Sequence, residues 1–283
     1  MGTALAAADH AVRWPVAALC ALTTMLLQIL SNLANDYGDA QNGADLGGLR
    51  QGPARAVQSG AISAAAMRRG IVVCGLLALL SGLVLLYVAF GLDNAPVALG
   101  FLALGLGCIW AAYRYTAGTN PYGYAGWGDA AVFVFFGLVG VLGTYFLQAQ
   151  TFRPALLLPA AALGLLANGV LTINNIRDRE SDAATGKRTI PVRLGAVPAR
   201  HYLTAQLAVA MLLLVAFRLQ TVPLRLPIDY RQFAFLLAAA PLASIAGSVR
   251  RAQTAAEVDP HLKRLALTTV SVVALWAGAL VRV

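Results

Sequence analysis

Charged residues are scarce in this chain of 283 residues. Only 12% are charged, and the acids number 12, whereas 59% are apolar. The charged share is about half that of an ordinary soluble domain. Because so little charge cannot keep a folded surface in water, the composition predicts an integral membrane protein. It argues against a cytosolic enzyme, a nucleic-acid-binding domain and a disordered chain.

The sequence also lacks the patterns of a disulfide framework, a membrane β-barrel and a secretory signal. The three cysteines lie inside apolar stretches, without the spacing of a disulfide framework or a metal site. Strand-like alternation over segments of about ten residues is absent, which argues against a membrane β-barrel, and no secretory signal pattern is visible. These absences leave a helical membrane protein with reduced cysteines as the expectation.

Eight apolar stretches are long enough to cross a bilayer as helices. We therefore predict an all-α fold, a multi-spanning transmembrane helical bundle that forms one integral membrane domain over residues 1–283. The predicted spans are 16–35, 71–90, 95–112, 129–148, 154–173, 202–217, 232–249 and 265–282.

The distribution of basic residues predicts the orientation of these spans. If four alternate loops share one side, that side holds 15 of the 21 Lys and Arg residues. The positive-inside rule places it in the cytoplasm. We therefore expect a protein of the cytoplasmic (inner) membrane with an Asp-rich pocket on its cytoplasmic side. The four loops are 36–70, 113–128, 174–201 and 250–264.

Two polar clusters lie at the ends of apolar stretches on that side. Placed on a helix at 100° per residue, the oxygen-bearing side chains of each cluster share an arc of about 100°. Six of the 12 acids belong to the two clusters, among them Asp45 and Glu180. The residues that share an arc are Asn32, Asn35, Asp36 and Asp39 in the first cluster, and Asn174, Asn175, Asp178 and Asp182 in the second.

Carboxylates that face one another repel unless a cation lies between them, and carboxylate and amide oxygens suit a hard cation such as Mg²⁺. We predict two Mg²⁺ ions that bind a diphosphate, with catalytic roles for the four aspartates of this ligand set. Caps or turns at helix ends are the alternative for either cluster. The predicted metal ligands are Asn32, Asp36, Asp39, Asn174, Asp178 and Asp182, and the predicted diphosphate-binding residues are Arg55, Lys187 and Arg188.

A third polar stretch, residues 113–129, is rich in tyrosine. Tyrosines in this position could hold a flat aromatic substrate. The alternative is an aromatic belt at the membrane interface, with an acid that favours a helix N-terminus. The candidates for the aromatic substrate are Tyr115, Tyr122, Tyr124 and Asp129.

Residues 30–39, LSNLANDYGD, resemble the first Asp-rich motif of the UbiA superfamily of membrane prenyltransferases. Residues 174–182, NNIRDRESD, followed by Gly186 and Lys187, resemble the second. The resemblance extends over nearly the whole chain and is greatest to the branch that prenylates 1,4-dihydroxy-2-naphthoate. The stretches that carry it are NDYGDA at 35–40, GPAR at 52–55, PYGY at 121–124 and GKRT at 186–189.

The resemblance implies transfer of a polyprenyl group from polyprenyl diphosphate to 1,4-dihydroxy-2-naphthoate, a step of menaquinone biosynthesis. It implies Mg²⁺ dependence, release of CO₂ and diphosphate, and a prenyl tail in the lipid bilayer, and no nucleic-acid partner is expected. The family has nine membrane helices, one more than the eight found here. Residues 2–6 resemble the last turns of its first helix, so that the chain is expected to begin inside that helix.

Two alternatives remain open, and a third lacks its motif. Another member of the superfamily would prenylate a different ring, such as 4-hydroxybenzoate. A membrane cation transporter would carry acids at the bilayer midplane, whereas these lie at the ends of apolar stretches. A CDP-alcohol phosphotransferase would have an Asp-Gly-x-x-Ala-Arg core, but Asp39 is followed by Ala40.

Overall fold

The computed structural model describes residues 1–43, 55–221 and 230–281, and its regular secondary structure is helical throughout these ranges. Eight of the described helices are long and apolar enough to cross a membrane, which confirms the prediction of a multi-spanning helical bundle. They are α2 (Trp14–Gln41), α3 (Ala64–Phe90), α4 (Ala95–Arg114), α5 (Gly128–Ala149), α6 (Pro154–Arg177), α9 (Ala196–Thr221), α10 (Tyr230–Arg251) and α11 (Ala255–Val281).

Three short helices complete the described structure. The helix α1 (Gly2–Ala8) precedes the first long helix, and α7 (Arg179–Ala184) and α8 (Ile190–Leu194) lie between α6 and α9. Contacts within the chain divide it into two compact units. Unit I comprises Arg13–Gly128 and Glu180–Thr189, and unit II comprises Met1–Val12, Asp129–Arg179 and Ile190–Val283.

Both helices that carry an acidic cluster extend beyond the apolar stretch that predicted them. The helix α2 continues to Gln41 and α6 to Arg177, because a helix satisfies its own backbone groups even where its side chains become polar. The second cluster is interrupted, however, since Asp178 leaves the helical conformation and α7 starts at Arg179. The expectation that Asp182 shares one continuous helical arc with Asn174 and Asp178 is therefore wrong.

In unit I, α2 packs along α3 around a small apolar core, and two polar contacts fix the pair. Thr23 and Ser81 share a hydrogen bond of 2.8 Å between the two helices. The Arg13 guanidinium donates to the carbonyls of Val88 and Ala89, so that it caps the C-terminal end of α3. The core residues include Leu30, Ala34, Tyr37, Met67 and Ile71.

The loop between α4 and α5, residues 115–127, lies directly against the end of α2; we call it the Tyr loop. A Cβ atom on Gly38 would come within 2.4–2.6 Å of the backbone of Thr116 and Ala117, so that only glycine allows this approach. The Thr116 hydroxyl donates to the Ala34 carbonyl at 3.1 Å, and the Asn42 amide donates to the Thr116 carbonyl at 2.8 Å. The end of α2 therefore fixes the Tyr loop in place.

In unit II, α6 is the most deeply buried long helix and packs against α5, α9 and α11. The middle of α5, Phe133–Gly143, is π-helical. Here Gly137 and Gly164 touch, because a Cβ on either glycine would come within 3 Å of atoms of the opposite helix. This close packing fixes the register of α5 on α6.

Large apolar side chains cover the outer face of the helices. On α3, successive turns present five Val and Leu residues that are about half exposed or more. Such a continuous apolar surface is unfavourable in water but suits lipid chains. These residues are Val72, Val73, Leu76, Leu77 and Leu80.

Candidate active site

The first acidic motif occupies three successive turns at the end of α2. Asn32 is exposed, and its Oδ1 accepts a hydrogen bond from Gln28 one turn earlier. The Asp36 carboxylate accepts backbone N–H groups of Ala56 at 3.0 Å and Val57 at 3.2 Å. Asp36 therefore also holds the chain that leads into α3.

Asp39 is the buried centre of this motif, with 2% of its surface exposed. Its carboxylate forms ion pairs with Arg55 and, at 3.1 Å, with Lys187, and it accepts a hydrogen bond of 2.7 Å from the Tyr124 hydroxyl. A buried carboxylate without partners would be strongly destabilising. The two cations and the hydroxyl offset that desolvation.

Lys187 connects the first motif with the end of the second. Its ammonium nitrogen lies 3.1 Å from Asp39 Oδ1 and 3.6 Å from Asp182 Oδ1. The same nitrogen lies 4.6 Å from the centroid of the Tyr124 ring, a cation–π distance. Within unit I the structure thus brings together five of the predicted residues: Asp39, Arg55, Tyr124, Asp182 and Lys187.

The GKRT stretch reaches this site through a tight turn. The Lys187 N–H donates to the Asp182 carbonyl at 2.9 Å, and Gly186 has a positive φ of 78°. The Arg188 N–H donates to the Tyr124 carbonyl at 2.8 Å, while the Arg188 side chain is exposed. The backbone therefore fixes Lys187 beside Tyr124 and leaves the Arg188 guanidinium in contact with solvent.

The three tyrosines of the Tyr loop differ in their surroundings. Burial raises the pKa of Tyr124 well above its ordinary value, and the negative charge of Asp39 raises it further. Tyr122 donates to the Ala111 carbonyl at 2.8 Å, and burial raises its pKa to about 12. Tyr115 packs edge-on against Tyr122, with ring centroids 5.4 Å apart. Tyr124 contacts an acidic motif, whereas the contacts of the Tyr115–Tyr122 pair shape the loop.

In unit II, the Arg177 guanidinium donates hydrogen bonds to several oxygens of the second motif. Arg177 donates to both carboxylate oxygens of Asp178, at 2.8 and 2.7 Å. It also donates to Asn174 Oδ1 at 2.8 Å and to Asp259 Oδ1 at 2.7 Å. Arg177 and Asp259 were not predicted as partners, although Asp259 is one of few acids and lies in a loop region assigned to the same side as the clusters.

Asp129 lies in unit II at the start of α5 and is 8% exposed. Its carboxylate accepts a hydrogen bond of 3.1 Å from the Tyr202 hydroxyl and interacts with the Asn168 side chain. Neither partner was predicted. Asn168 could have been noticed as a polar residue inside an apolar stretch, which is by default a functional candidate.

Two parts of the predicted site lie outside the described residues. They are Asp45 and the Gly52-Pro53 pair.

The donor chemistry of both motifs suits a hard cation, although the described residues contain no group of three or more His, Cys, Asp or Glu side chains placed to hold a metal ion. In each unit, carboxylate or amide oxygens converge on a positive group: Lys187 in unit I and Arg177 in unit II. A carboxylate offers about four lone-pair sites, so these contacts leave it further capacity. The oxygen-only donor set therefore fits Mg²⁺.

Eight apolar helices among the described residues, together with buried carboxylates and their cations, define an integral membrane protein with a charged polar site. The model of the UbiA prenyltransferase family matches residues 1–267. The chain belongs to this family and is a prenyltransferase, as its two Asp-rich motifs predicted. Family membership decides against the transporter and the CDP-alcohol phosphotransferase.

Curated relatives support the same assignment. The chain is 45% identical to a 1,4-dihydroxy-2-naphthoate octaprenyltransferase of Escherichia coli, over 93% of this chain and 83% of that protein. It is 44% identical to the protein of that name from Haemophilus influenzae, over 90% of this chain and 80% of that protein. The protein of that name from Mycobacterium tuberculosis is 39% identical, over 99% of this chain and 89% of that protein. No solved structure matches the chain.

Proposed function

We propose that the protein transfers a polyprenyl group from polyprenyl diphosphate to 1,4-dihydroxy-2-naphthoate. The products are demethylmenaquinone in its reduced, hydroquinone form, CO₂ and diphosphate, and the reaction belongs to menaquinone biosynthesis. The observation that carries the proposal is the Lys187 ammonium, which lies against Asp39 of the first motif and Asp182 of the second. We infer the acceptor from the relatives, whose names include this naphthoate.

We propose further that residues 1–283 act as one integral membrane prenyltransferase domain. The family match over residues 1–267 includes all of unit I and most of unit II. The basic loops favour the cytoplasmic membrane, with the acidic motifs towards the cytoplasm.

Mg²⁺ is the proposed cofactor. When bound, it supplies positive charge that stabilises the departing diphosphate. Two such ions are proposed, and the residues proposed as their ligands are Asn32, Asp36, Asp39, Asn174, Asp178 and Asp182.

Arg55, Lys187 and Arg188 are proposed to bind the phosphate oxygens. An ammonium has three donors and a guanidinium five, so that Lys187 and Arg55 can keep a contact with Asp39 while they donate to phosphate. Arg188 is exposed and can reach an incoming anion. Charge-assisted hydrogen bonds of this kind are the strong ones in phosphate recognition.

The reaction breaks the allylic C–O bond, and its electron pair leaves on the diphosphate. The electron-rich ring then forms a bond to the allylic carbon and loses CO₂. Water must be kept away, because it would capture the same carbon. Asp39 is 2% exposed and Asp182 is 7% exposed, so this part of unit I is largely closed to solvent.

The test uses membranes that contain the full chain. They receive 1,4-dihydroxy-2-naphthoate and a radiolabelled polyprenyl diphosphate, with Mg²⁺ or with a chelator, and lipid-extractable label is followed. We expect product with Mg²⁺, none with the chelator, and none when 4-hydroxybenzoate replaces the naphthoate. Product with 4-hydroxybenzoate alone would overturn the acceptor, and undiminished product in chelator would overturn the cofactor.

A further inference from the structure

A polar cluster lies buried among the apolar helices of unit II. Asp129 on α5, Asn168 and Thr172 on α6 and Gln206 on α9 are each 8% exposed or less, and Tyr202 on α9 completes the cluster. Burying this many polar groups in membrane-spanning segments is unfavourable, and such groups usually mark a functional site. The acidic motifs do not include Asn168, Thr172, Tyr202 or Gln206.

Hydrogen bonds fix the orientation of the cluster's two amides. Thr172 donates to Gln206 Oε1 at 3.0 Å, so that Gln206 directs its Nε2 elsewhere. An ionised carboxylate only accepts, and Asn168 therefore interacts with Asp129 through its NH₂ group. Asn168 Oδ1 and Gln206 Nε2 are left buried without a hydrogen-bond partner.

One acceptor and one donor thus stay unsatisfied in the same cluster. Asn168 and Gln206 are each 3% exposed, and both interact with the Tyr202 side chain, so that both amides lie near one hydroxyl. Buried polar atoms without partners are rare and unfavourable in native proteins. A phenolic hydroxyl would satisfy both, since it donates to Asn168 Oδ1 and accepts from Gln206 Nε2.

The packing of α5 on α6 holds the cluster in place. Gly164 contacts Phe133 and Gly137 so closely that a Cβ there would come within 2.9 Å of Phe133. Asn168 lies one turn after Gly164, and Asp129 lies one turn before Phe133. The π-helical stretch starts at Phe133, and π-helical segments are frequent at functional sites.

We propose that this cluster binds a ring hydroxyl of the aromatic acceptor. The inference rests on the proposed function and deepens it, because it assigns the acceptor-binding residues. The negative charge of Asp129 repels a carboxylate, so that the acceptor enters with its hydroxyl and keeps its carboxylate away. Thr172 precedes Asp178 by six residues, a helical rise of about 9 Å, which places the ring near the second motif.

The test measures binding without Mg²⁺ or polyprenyl diphosphate, using the purified full chain in nanodiscs. The probes are 1-naphthol and naphthalene, which lacks the hydroxyl. The variant is Gln206→Met, of similar size, and the matched control is Gln148→Met. Gln148 is also a buried glutamine of unit II, 4% exposed, and bonds to Thr3 and Thr144.

We expect Gln206→Met to weaken 1-naphthol binding about 5- to 10-fold, as for one lost hydrogen bond, and to leave naphthalene binding unchanged. Gln148→Met should change neither. Equal 1-naphthol affinity in wild type and Gln206→Met would overturn the proposal and leave water as the occupant. If Gln206→Met does not fold, Asn168→Leu gives the same comparison.

Turnover separates this proposal from the proposed function. If Gln206→Met raises KM for the naphthoate and leaves KM for polyprenyl diphosphate unchanged, both stand. If the wild type turns over no naphthoate while 1-naphthol binding still depends on Gln206, the function fails and the hydroxyl site stands. If the wild type turns over the naphthoate but 1-naphthol binding does not depend on Gln206, the proposed function stands and the hydroxyl site fails.

Discussion

At the scale of single residues, Tyr124 combines two interactions that are usually separate. Its hydroxyl donates to Asp39, and its ring face carries the Lys187 ammonium. A phenol that donates to a carboxylate makes a charge-assisted hydrogen bond. The ring and the hydroxyl together hold Asp39 and Lys187 in a fixed geometry.

Removing the hydroxyl separates these two contributions. In Tyr124→Phe the ring still supports Lys187, but Asp39 loses one hydrogen bond. We expect kcat/KM to fall about 10-fold, corresponding to about 1.4 kcal/mol. Tyr87→Phe is the matched control, because Tyr87 lies on α3 of the same unit and is 64% exposed. Equal activities of the two variants would contradict the role of the Tyr124 hydroxyl.

The pKa of Tyr124 determines the pH range of this hydrogen bond. Because the folded protein raises the pKa above the ordinary value near 10, the hydroxyl stays protonated and donates at every lower pH. The contribution is present below pH 10 and is lost only as the pH rises through the raised pKa. Tyrosinate absorbance of wild type and Tyr124→Phe should therefore coincide up to about pH 10. A difference below that pH would contradict a neutral donor.

The sequence predicted the acidic residues but not how their charge is balanced. Carboxylates are rare in this chain and lie where apolar stretches end, so that Asp36, Asp39, Asp178 and Asp182 were recognisable. The partners Arg177 and Asp259 were not, because they depend on which side chains the fold places together over 82 residues of sequence. Likewise, no local pattern pairs Asp129 with Tyr202.

At the scale of elements, one glycine determines how the Tyr loop meets α2. Gly38→Ala would place a methyl group 2.4 Å from the Thr116 carbonyl carbon, and neither backbone can move without disturbing Asp39 or Tyr124. We expect a loss of about 2 kcal/mol in unfolding free energy, together with reduced turnover.

Gly82→Ala is the control for that substitution. Gly82 lies in the middle of α3, and a Cβ there would contact nothing within 4 Å. Alanine favours the helix over glycine, so Gly82→Ala should leave the melting temperature in detergent unchanged or slightly raised. A Gly38→Ala protein as stable as Gly82→Ala would contradict the close contact between α2 and the Tyr loop.

The eight spanning helices were predictable because the length of an apolar stretch directly reflects the thickness of the bilayer. The polar ends of these helices were harder to predict from the sequence. In α2 the helix continues through Asp36 and Asp39, whereas after α6 it breaks at Asp178. Both stretches are similarly rich in Asn and Asp. At the break Asp178 accepts from Arg177 through both carboxylate oxygens, and no periodicity reveals this contact.

At the scale of the whole molecule, the chain divides its chemistry between two units. Unit I carries Asp36 together with Asp39 and Asp182, which lie beside Lys187, and unit II carries Asp178 with Arg177. The apolar outer faces account for residence in a membrane, where a polyprenyl tail also partitions. We propose that the acidic motifs of both units are required for one reaction.

The most direct test of this claim measures turnover of Asp36→Ala and Asp178→Ala in membranes, one variant in each unit. Asp93→Ala is the control, because Asp93 is an exposed acid in the turn between α3 and α4. With equal amounts of inserted protein, we predict that each motif variant loses about 100-fold or more in turnover, and that Asp93→Ala keeps wild-type turnover. Near-normal turnover in either motif variant would show that its motif is not required for the reaction.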